Sequence, residues 1–502
     1  MICRRTVVAT VLAAAFGTPI AAHADGSQDI AQLREELRQV KQDYETRIRA
    51  LEKRIEAVAA PQPTGGGGES AVPLSANRQD DTWMPDADSA GYVSAPSAPS
   101  APAVSVAASA PAVSGSASTA SAFNPAVSVI LGGTFANLSR DPDKYRIQGF
   151  VPGGEEVGPG KRSFNLGESE LMLSASIDPT FSGQLTASLA SDNSVSVEEA
   201  FMQTHGLEDG VNLKAGRFLS SVGYLNNIHS HAWDFVDAPL VYQAFFGGQY
   251  SQDGVQARWL APADRFVELG AEAGNGGSFP GNGRNKNGVN SVAVFGHVGD
   301  DIGEGGSWRA GLSYLRTSAS GRAYDDTDST GADVVNAFSG HSSIWIADAV
   351  YKWSPGGNAT RTNLKLQAEY FRRRENGTLT YDTTGQSLGT LSGAYTSAQS
   401  GWYAQGVYQF MPRWRVGMRY DKLYGGTTDI GLVDSGTLSA SDFSSLTSYN
   451  PSKTTLMLDF SPSEFSRIRL QIARDKSSPD EADRQIYLQY IMSLGAHGAH
   501  SF

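Results

Sequence analysis

The chain has 502 residues, with 52 acidic against 40 basic side chains and a formal net charge of −12. That balance excludes a nucleic-acid partner, because no surplus of cations exists to replace phosphate counterions. Past the first two dozen residues no apolar run is long enough for a membrane-spanning helix, a test that a β-barrel escapes because its outward apolar residues alternate with inward polar ones.

In chain order, Arg4 and Arg5, the apolar run Val7 to Phe16 and the Ala22-His23-Ala24 cleavage pattern read as a secretory signal over 1–24. The single cysteine, Cys3, falls inside it, so the exported chain is expected to hold no disulfide and no thiolate metal site. Over 27–58, Ile30, Leu33, Leu37, Val40 and Tyr44 keep a 3–4 spacing, which predicts a periplasmic coiled-coil helix. Leu51 and Val58 continue the seam, while Ile48 and Ile55 sit one place off it, a stutter that locally unwinds a supercoil. So short and charged a helix is marginal alone, which favours self-association; a monomeric amphipathic helix is the competing reading. The stretch 59–125 holds Gly65 to Gly68 and Ala/Ser/Pro repeats such as Ser94-Ala95-Pro96-Ser97-Ala98-Pro99. It cannot bury enough apolar surface to offset chain entropy and reads as a disordered linker.

The span 126–502 alternates in hydropathy, with short turns and long polar connections taking turns between the alternating runs. Turns such as Asp178-Pro179, Pro355-Gly356-Gly357 and Met411-Pro412 separate connections near 139–163, 191–196, 220–252, 276–288, 318–340, 376–398, 425–450 and 476–484. Seven turns and eight loops define an all-β fold: a transmembrane antiparallel β-barrel of about 16 strands in the outer membrane of a Gram-negative cell. In Trp345 to Trp353 one parity carries Trp345, Ala347, Ala349, Tyr351 and Trp353, and the other Asp348 and Lys352. Eight residues at a tilt near ~40° place the two tryptophans about 20 Å apart along the membrane normal, the separation of two aromatic girdles. A soluble β-sandwich needs a second apolar face and does not explain the alternation of loops and turns.

The other parity lines the lumen. It carries a basic wall of Lys365, Arg373, Arg415, Arg419, Arg467 and Arg469, and an acidic wall of Glu168, Glu170, Glu268 and Glu272. Such walls either set a transverse field that attracts anionic solutes or pair with neighbours and merely keep the lumen wet. The third loop is the longest and unusually aromatic, with Tyr224, His229, His231, Trp233, Asp234, Asp237 and Tyr242 as constriction candidates. It is expected to fold into the barrel or to pack between barrels. His229, His231, Asp234 and Asp237 supply imidazole and carboxylate, a donor set that suits zinc, although their spacing matches no zinc motif. No resident cofactor is implied, and the chain carries no nucleotide-binding loop, no Gly-x-Ser-x-Gly elbow and no His-Glu-x-x-His, so an enzyme is not expected.

The barrel, the long third loop, the terminal Phe502 and the coiled coil together resemble the phosphate-selective porin superfamily, and within it the DcaP-like trimeric porins. The resemblance covers 27–58 and 126–502 in layout. It implies a homotrimer, held through coiled coil and barrel in outer-membrane lipid, that passes small anionic solutes. The stretch His229 to Leu240 is also similar to proteins labelled TonB-dependent or zinc-regulated outer-membrane receptors. The ~22 strands and folded plug of such transporters do not fit 126–502 or the segment ahead of it. The expected function is therefore a diffusion channel; a metal-linked (zinc or copper) uptake protein and a structural tether are the alternatives.

Overall fold

The computed structural model describes residues 125–153, 157–190, 193–205, 207–282 and 287–495. The expected signal, the coiled coil, the linker up to residue 124, and Phe502 lie outside the described residues. No described helix is long and apolar enough to cross a membrane.

Seventeen antiparallel segments form one sheet. They are β1 (Ala126–Leu138), β2 (Ser163–Leu166), β3 (Ser169–Ser176), β4 (Phe181–Leu189), β5 (Val195–Thr204), β6 (Val211–Leu219), β7 (Ser251–Leu260), β8 (Phe266–Gly274) and β9 (Ser291–Ile302). The longer half follows: β10 (Gly306–Thr327), β11 (Asp333–Trp353), β12 (Asn363–Tyr381), β13 (Leu391–Met411) and β14 (Trp414–Ile430), then β15 (Ser452–Ser463), β16 (Ser466–Lys476) and β17 (Asp483–Gly495). Segments β2 and β3 both pair with β1 and are one strand interrupted at Gly167-Glu168. Pairing of β1 with β17, from Ser128 opposite Gly495 to Leu138 opposite Gln485, closes the sheet. The result is a closed barrel of 16 strands, as the alternation of turns and loops predicts. Closure leaves no strand edge unpaired, the condition for strands to cross a bilayer.

Side-chain alternation fixes the two faces. On β16, Ile468, Leu470 and Ile472 are exposed outward while Arg469, Gln471 and Asp475 are buried inward. Trp345, Trp353, Phe410, Ile486, Leu488, Tyr490 and Leu494 are exposed on the outer face, as their parity predicts. Three loops are shorter than the sequence implies. The strands run through most of 318–340 and 376–398, leaving 328–332 and 382–390, and β14 continues to Ile430. These strand ends rise past the apolar band, so their outer residues are polar and the hydropathy alternation fades. Pairing nevertheless persists, for instance Arg322 with Phe338. Their inner side is held by an apolar cluster including Tyr324, Phe338, Leu379, Tyr381 and Tyr395, against Leu432, Phe443 and Leu446 of the seventh loop.

Candidate functional site: the third loop across the lumen

The connection between β6 and β7 folds into the barrel. Val222, Leu225, Phe235, Phe245 and Tyr250 are all almost fully buried. Asn226 closes the base of the loop: its amide donates to the carbonyls of Ser220 and Tyr250, both at 2.8 Å, and its oxygen accepts from Tyr250 N at 2.8 Å. Beyond it runs a short helix, α1 (Leu240–Phe246), with every residue buried. An apolar helix inside a pore needs an apolar host. Ile344, Ile346, Phe371, Tyr403 and Leu423 supply it from the inner face of β11–β14. Tyr242 packs edge-on against Phe371 with ring centroids 5.1 Å apart. Gly247 ends the helix in the left-handed region at φ 71°, and its N–H donates to the Gln243 carbonyl at 3.1 Å.

The loop meets walls of opposite charge with matching groups. On the basic side Asp234 takes Lys365 Nζ at 2.8 Å and Arg415 Nη1 at 3.2 Å. Asp237 takes Lys453 Nζ at 2.7 Å and Arg419 Nη2 at 3.1 Å. Backbone carbonyls of the loop engage the remaining guanidiniums: Arg469 donates to Trp233 O at 2.6 Å, Arg373 to Ala244 O at 3.1 Å, and Arg467 to His231 O. Burial opposes ionised aspartates here, but Lys365 and Arg415 outweigh it for Asp234, and Lys453 and Arg419 for Asp237. Both carboxyls are held well below the usual range.

On the acidic side Ser220 Oγ and Ser221 N donate to Glu272, at 2.6 and 2.9 Å, and Ser230 Oγ donates to Glu168. His231 Nδ1 lies 2.7 Å from Glu170, and His229 lies between Glu170, Glu198 and Glu199. Burial disfavours a charged His229 ring, yet the neighbouring carboxylates of Glu198, Glu199 and Glu170 prevail and hold its pKa well above the ordinary value. Glu268 turns away from the loop, to His297 at 3.1 Å and Arg258 at 3.7 Å.

Of the four proposed metal ligands, the structure brings His229 and His231 to Glu170, while Asp234 and Asp237 pair with the basic wall. Tyr224 and Tyr242 converge on Glu369, which accepts from Tyr224 N at 3.0 Å, Leu225 N at 3.1 Å and the Tyr242 hydroxyl at 2.9 Å. Trp233 is buried and donates its indole N–H to Ile228 O at 2.8 Å. Sequence reasoning missed Glu369, Lys453, Glu198 and Glu199. The first two lie on the inward parity, beside Lys365 and Thr455, and were findable. Glu198 was not, because strict alternation allows only one of two adjacent glutamates to face inward; the register skips it between Glu199 and Val197, a β-bulge that re-aims its side chain.

A cavity of about 850 Å³ remains between the loop and the wall made by β1, β5, β6 and β17, with Glu168, Glu198, His231 and Asp237 among its lining.

No family profile matches the chain. Among solved structures, it is similar to a loop L8 deletion mutant of OmpT, an outer membrane protein of Vibrio cholerae, with 10% identity, TM-score 0.46, and coverage of 74% of this chain and 99% of that one. The outer membrane channel DcaP of Acinetobacter baumannii matches with 12% identity, TM-score 0.42, and coverage of 74% and 97%. An anion-selective porin from Comamonas acidovorans matches with 9% identity, TM-score 0.43, and coverage of 74% and 99%. A sequence relative from Aquifex aeolicus (strain VF5), described as an uncharacterized protein, is 32% identical over 406 residues, which cover 76% of this chain and 80% of the relative. At that identity and coverage the two are homologues, and the chain belongs to the same family as the Aquifex aeolicus protein.

Proposed function

We propose that the protein is an outer-membrane channel for the diffusion of small hydrophilic solutes, with the third loop setting its bore. The observation that carries this reading is the loop itself, tied across a charged lumen yet leaving a cavity of about 850 Å³ beside it. Water-filled lumens narrowed by inward loops select solutes by size and by the charge they present.

The charge of that passage favours cations. The guanidiniums of Arg415, Arg419, Arg467 and Arg469 are turned against the loop, whose aspartates and carbonyls engage them. Asp237 apart, which Lys453 and Arg419 neutralise, the cavity is lined by Lys161 and Arg217 against Glu168, Glu198 and Asp253, an acidic excess in a confined space. Anion preference, the expectation from the basic wall alone, requires the loop to leave that wall. Planar-bilayer recordings of the purified protein in a potassium chloride gradient decide between them. Open steps with a cation-biased reversal potential support the reading. An anion bias overturns the charge assignment, and a folded barrel without conductance overturns the channel.

A homotrimer is the expected assembly. Its support is an outward apolar hollow on the short-strand side, lined by Phe181, Met202, Leu213, Val255 and the small Ala215, Ala257, Ala271 and Ala273. Small residues on a lipid-facing surface let a second copy approach closely. Native mass spectrometry of the detergent-extracted protein reads the copy number; a monomer refutes the assignment.

A further inference from the structure

We propose that His229, Glu170 and Glu198 form a binding site for a divalent transition-metal ion of the zinc class, on the acidic side of the lumen. His229 Nδ1 lies 3.4 Å from Glu170 Oε2 and 3.3 Å from Glu198 Oε2. Neither His229 Nδ1 nor Glu198 Oε2 makes a hydrogen bond of sound geometry. Within the same cluster, His231 Nδ1 and Glu170 Oε1 meet at 2.7 Å, the length of a charge-assisted hydrogen bond. Separations near 3.3 Å have another meaning. Donors bound at roughly 2.0–2.1 Å to one tetrahedral ion stand about 3.3 Å apart, the separation that His229 Nδ1 keeps from each of the two carboxylates.

The surroundings are those that a metal-bound imidazole needs. His229 Nε2 lies 3.1 Å from Glu199 Oε2, so the ring's other nitrogen donates to a buried carboxylate and Nδ1 is left as the ligand. Glu199 is itself fixed, accepting from Leu219 N at 3.0 Å and Gln184 Nε2 at 3.2 Å. His231 holds Glu170 from the other side. A bulge in β5 presents Glu198 beside Glu199, where strict alternation would turn one of the two outward. Glu198 also lines the open cavity, which gives the ion an entry path and leaves a fourth position for water. Imidazole with carboxylates suits zinc, copper or nickel better than calcium or magnesium. A bound ion would fasten the histidine end of the loop to the acidic wall, as Asp234 and Asp237 fasten its other end to the basic wall.

The test uses the full chain, purified as the folded barrel without an affinity tag and stripped with a chelator. Zinc(II) is titrated by calorimetry, with bound zinc counted by elemental analysis, and cobalt(II) reports coordination through its visible ligand-field bands. One zinc per chain with a Kd of about 1 µM or tighter is expected. His229→Ala should lose that binding and the tetrahedral cobalt spectrum. Glu199→Gln, which removes no ligand, should weaken binding by roughly 10-fold or more. Should His229→Ala fail to fold, as judged by heat-modifiable gel mobility, Glu198→Gln replaces it. Absence of stoichiometric zinc, or binding that survives His229→Ala and is lost when His497 and His500 are replaced, overturns the proposal. Neither result depends on whether the barrel conducts.

Discussion

Replacing Asp234 with alanine is the sharpest test of the loop's attachment. The carboxylate is buried and accepts from Lys365 at 2.8 Å, Arg415 at 3.2 Å and Gln405 at 3.3 Å. Arg415 keeps a second partner, Asp459 at 2.6 Å, whereas Lys365 has no other ion-pair partner among the described residues. Its ammonium, largely covered, would be left without a counter-charge. Removing one member of a buried pair costs about 3–5 kcal/mol, mostly the penalty of the orphaned charge. At ~1.4 kcal/mol per tenfold, the equilibrium for lifting this part of the loop should shift by at least about 100-fold. The barrel wall should stay intact, because its strand ladder does not use Asp234. Hydrogen exchange on the detergent-solubilised protein should show lost protection over residues 233–246, with β-strand amides unchanged, and single-channel recordings should show noisier or larger steps. Adding Lys365→Met should restore part of the protection, since the orphan is then gone. Unchanged exchange over 233–246 in Asp234→Ala would refute the view that these ion pairs hold the loop.

Three other outcomes follow from the same geometry. Tyr242→Phe removes a hydroxyl that donates to Glu369 at 2.9 Å; a hydrogen bond to a charged group contributes about 1.5–3 kcal/mol, and exchange at α1 should rise by one to two powers of ten. Gly247→Ala should loosen the end of α1 by about 1–2 kcal/mol, because φ is 71° and a Cβ there runs into the Gly153 carbonyl oxygen; an unchanged thermal profile of loop exchange would count against that strain. The acid dependence has a definite sign. Asp234 and Asp237 have carboxyls depressed in the folded protein, so their stabilisation is fully present above the unfolded value near ~3.9 and is lost only as pH falls below it toward the folded values. The basic-side attachment should therefore hold from about pH 7 down to about pH 4, read as constant hydrogen-exchange protection of 233–246 after correction for intrinsic rates. Loosening already at mildly acidic pH would contradict the ion-pair assignment.

The barrel was legible because the bilayer enforces a period of two on every strand, and Ile468, Leu470 and Ile472 against Arg469 and Gln471 write it plainly. Legibility fails where that constraint stops. Above the apolar band, Ser318 to Gly321 look like loop but continue as strand, since paired backbone in water needs no apolar face. Inside the lumen, parity says that Phe371 and Ile346 point inward and not that an apolar helix waits there to cover them. The metal candidates show the limit most directly. His229, His231, Asp234 and Asp237 are neighbours in sequence, and proximity suggested one site. Only three residues separate His231 from Asp234, yet they carry the loop from Glu170 on β3 to Lys365 on β12 and Arg415 on β14, the narrow lumen being bridged by long side chains. The order of charge along the loop, imidazole first and carboxylate second, thus matches the order of the two walls it meets. Reversing it would bring histidines against arginines and aspartates against glutamates, and two like-charged contacts would replace two favourable ones. The loop's polarity therefore specifies which way it lies across the barrel, with its histidines against the acidic wall and its aspartates against the basic one.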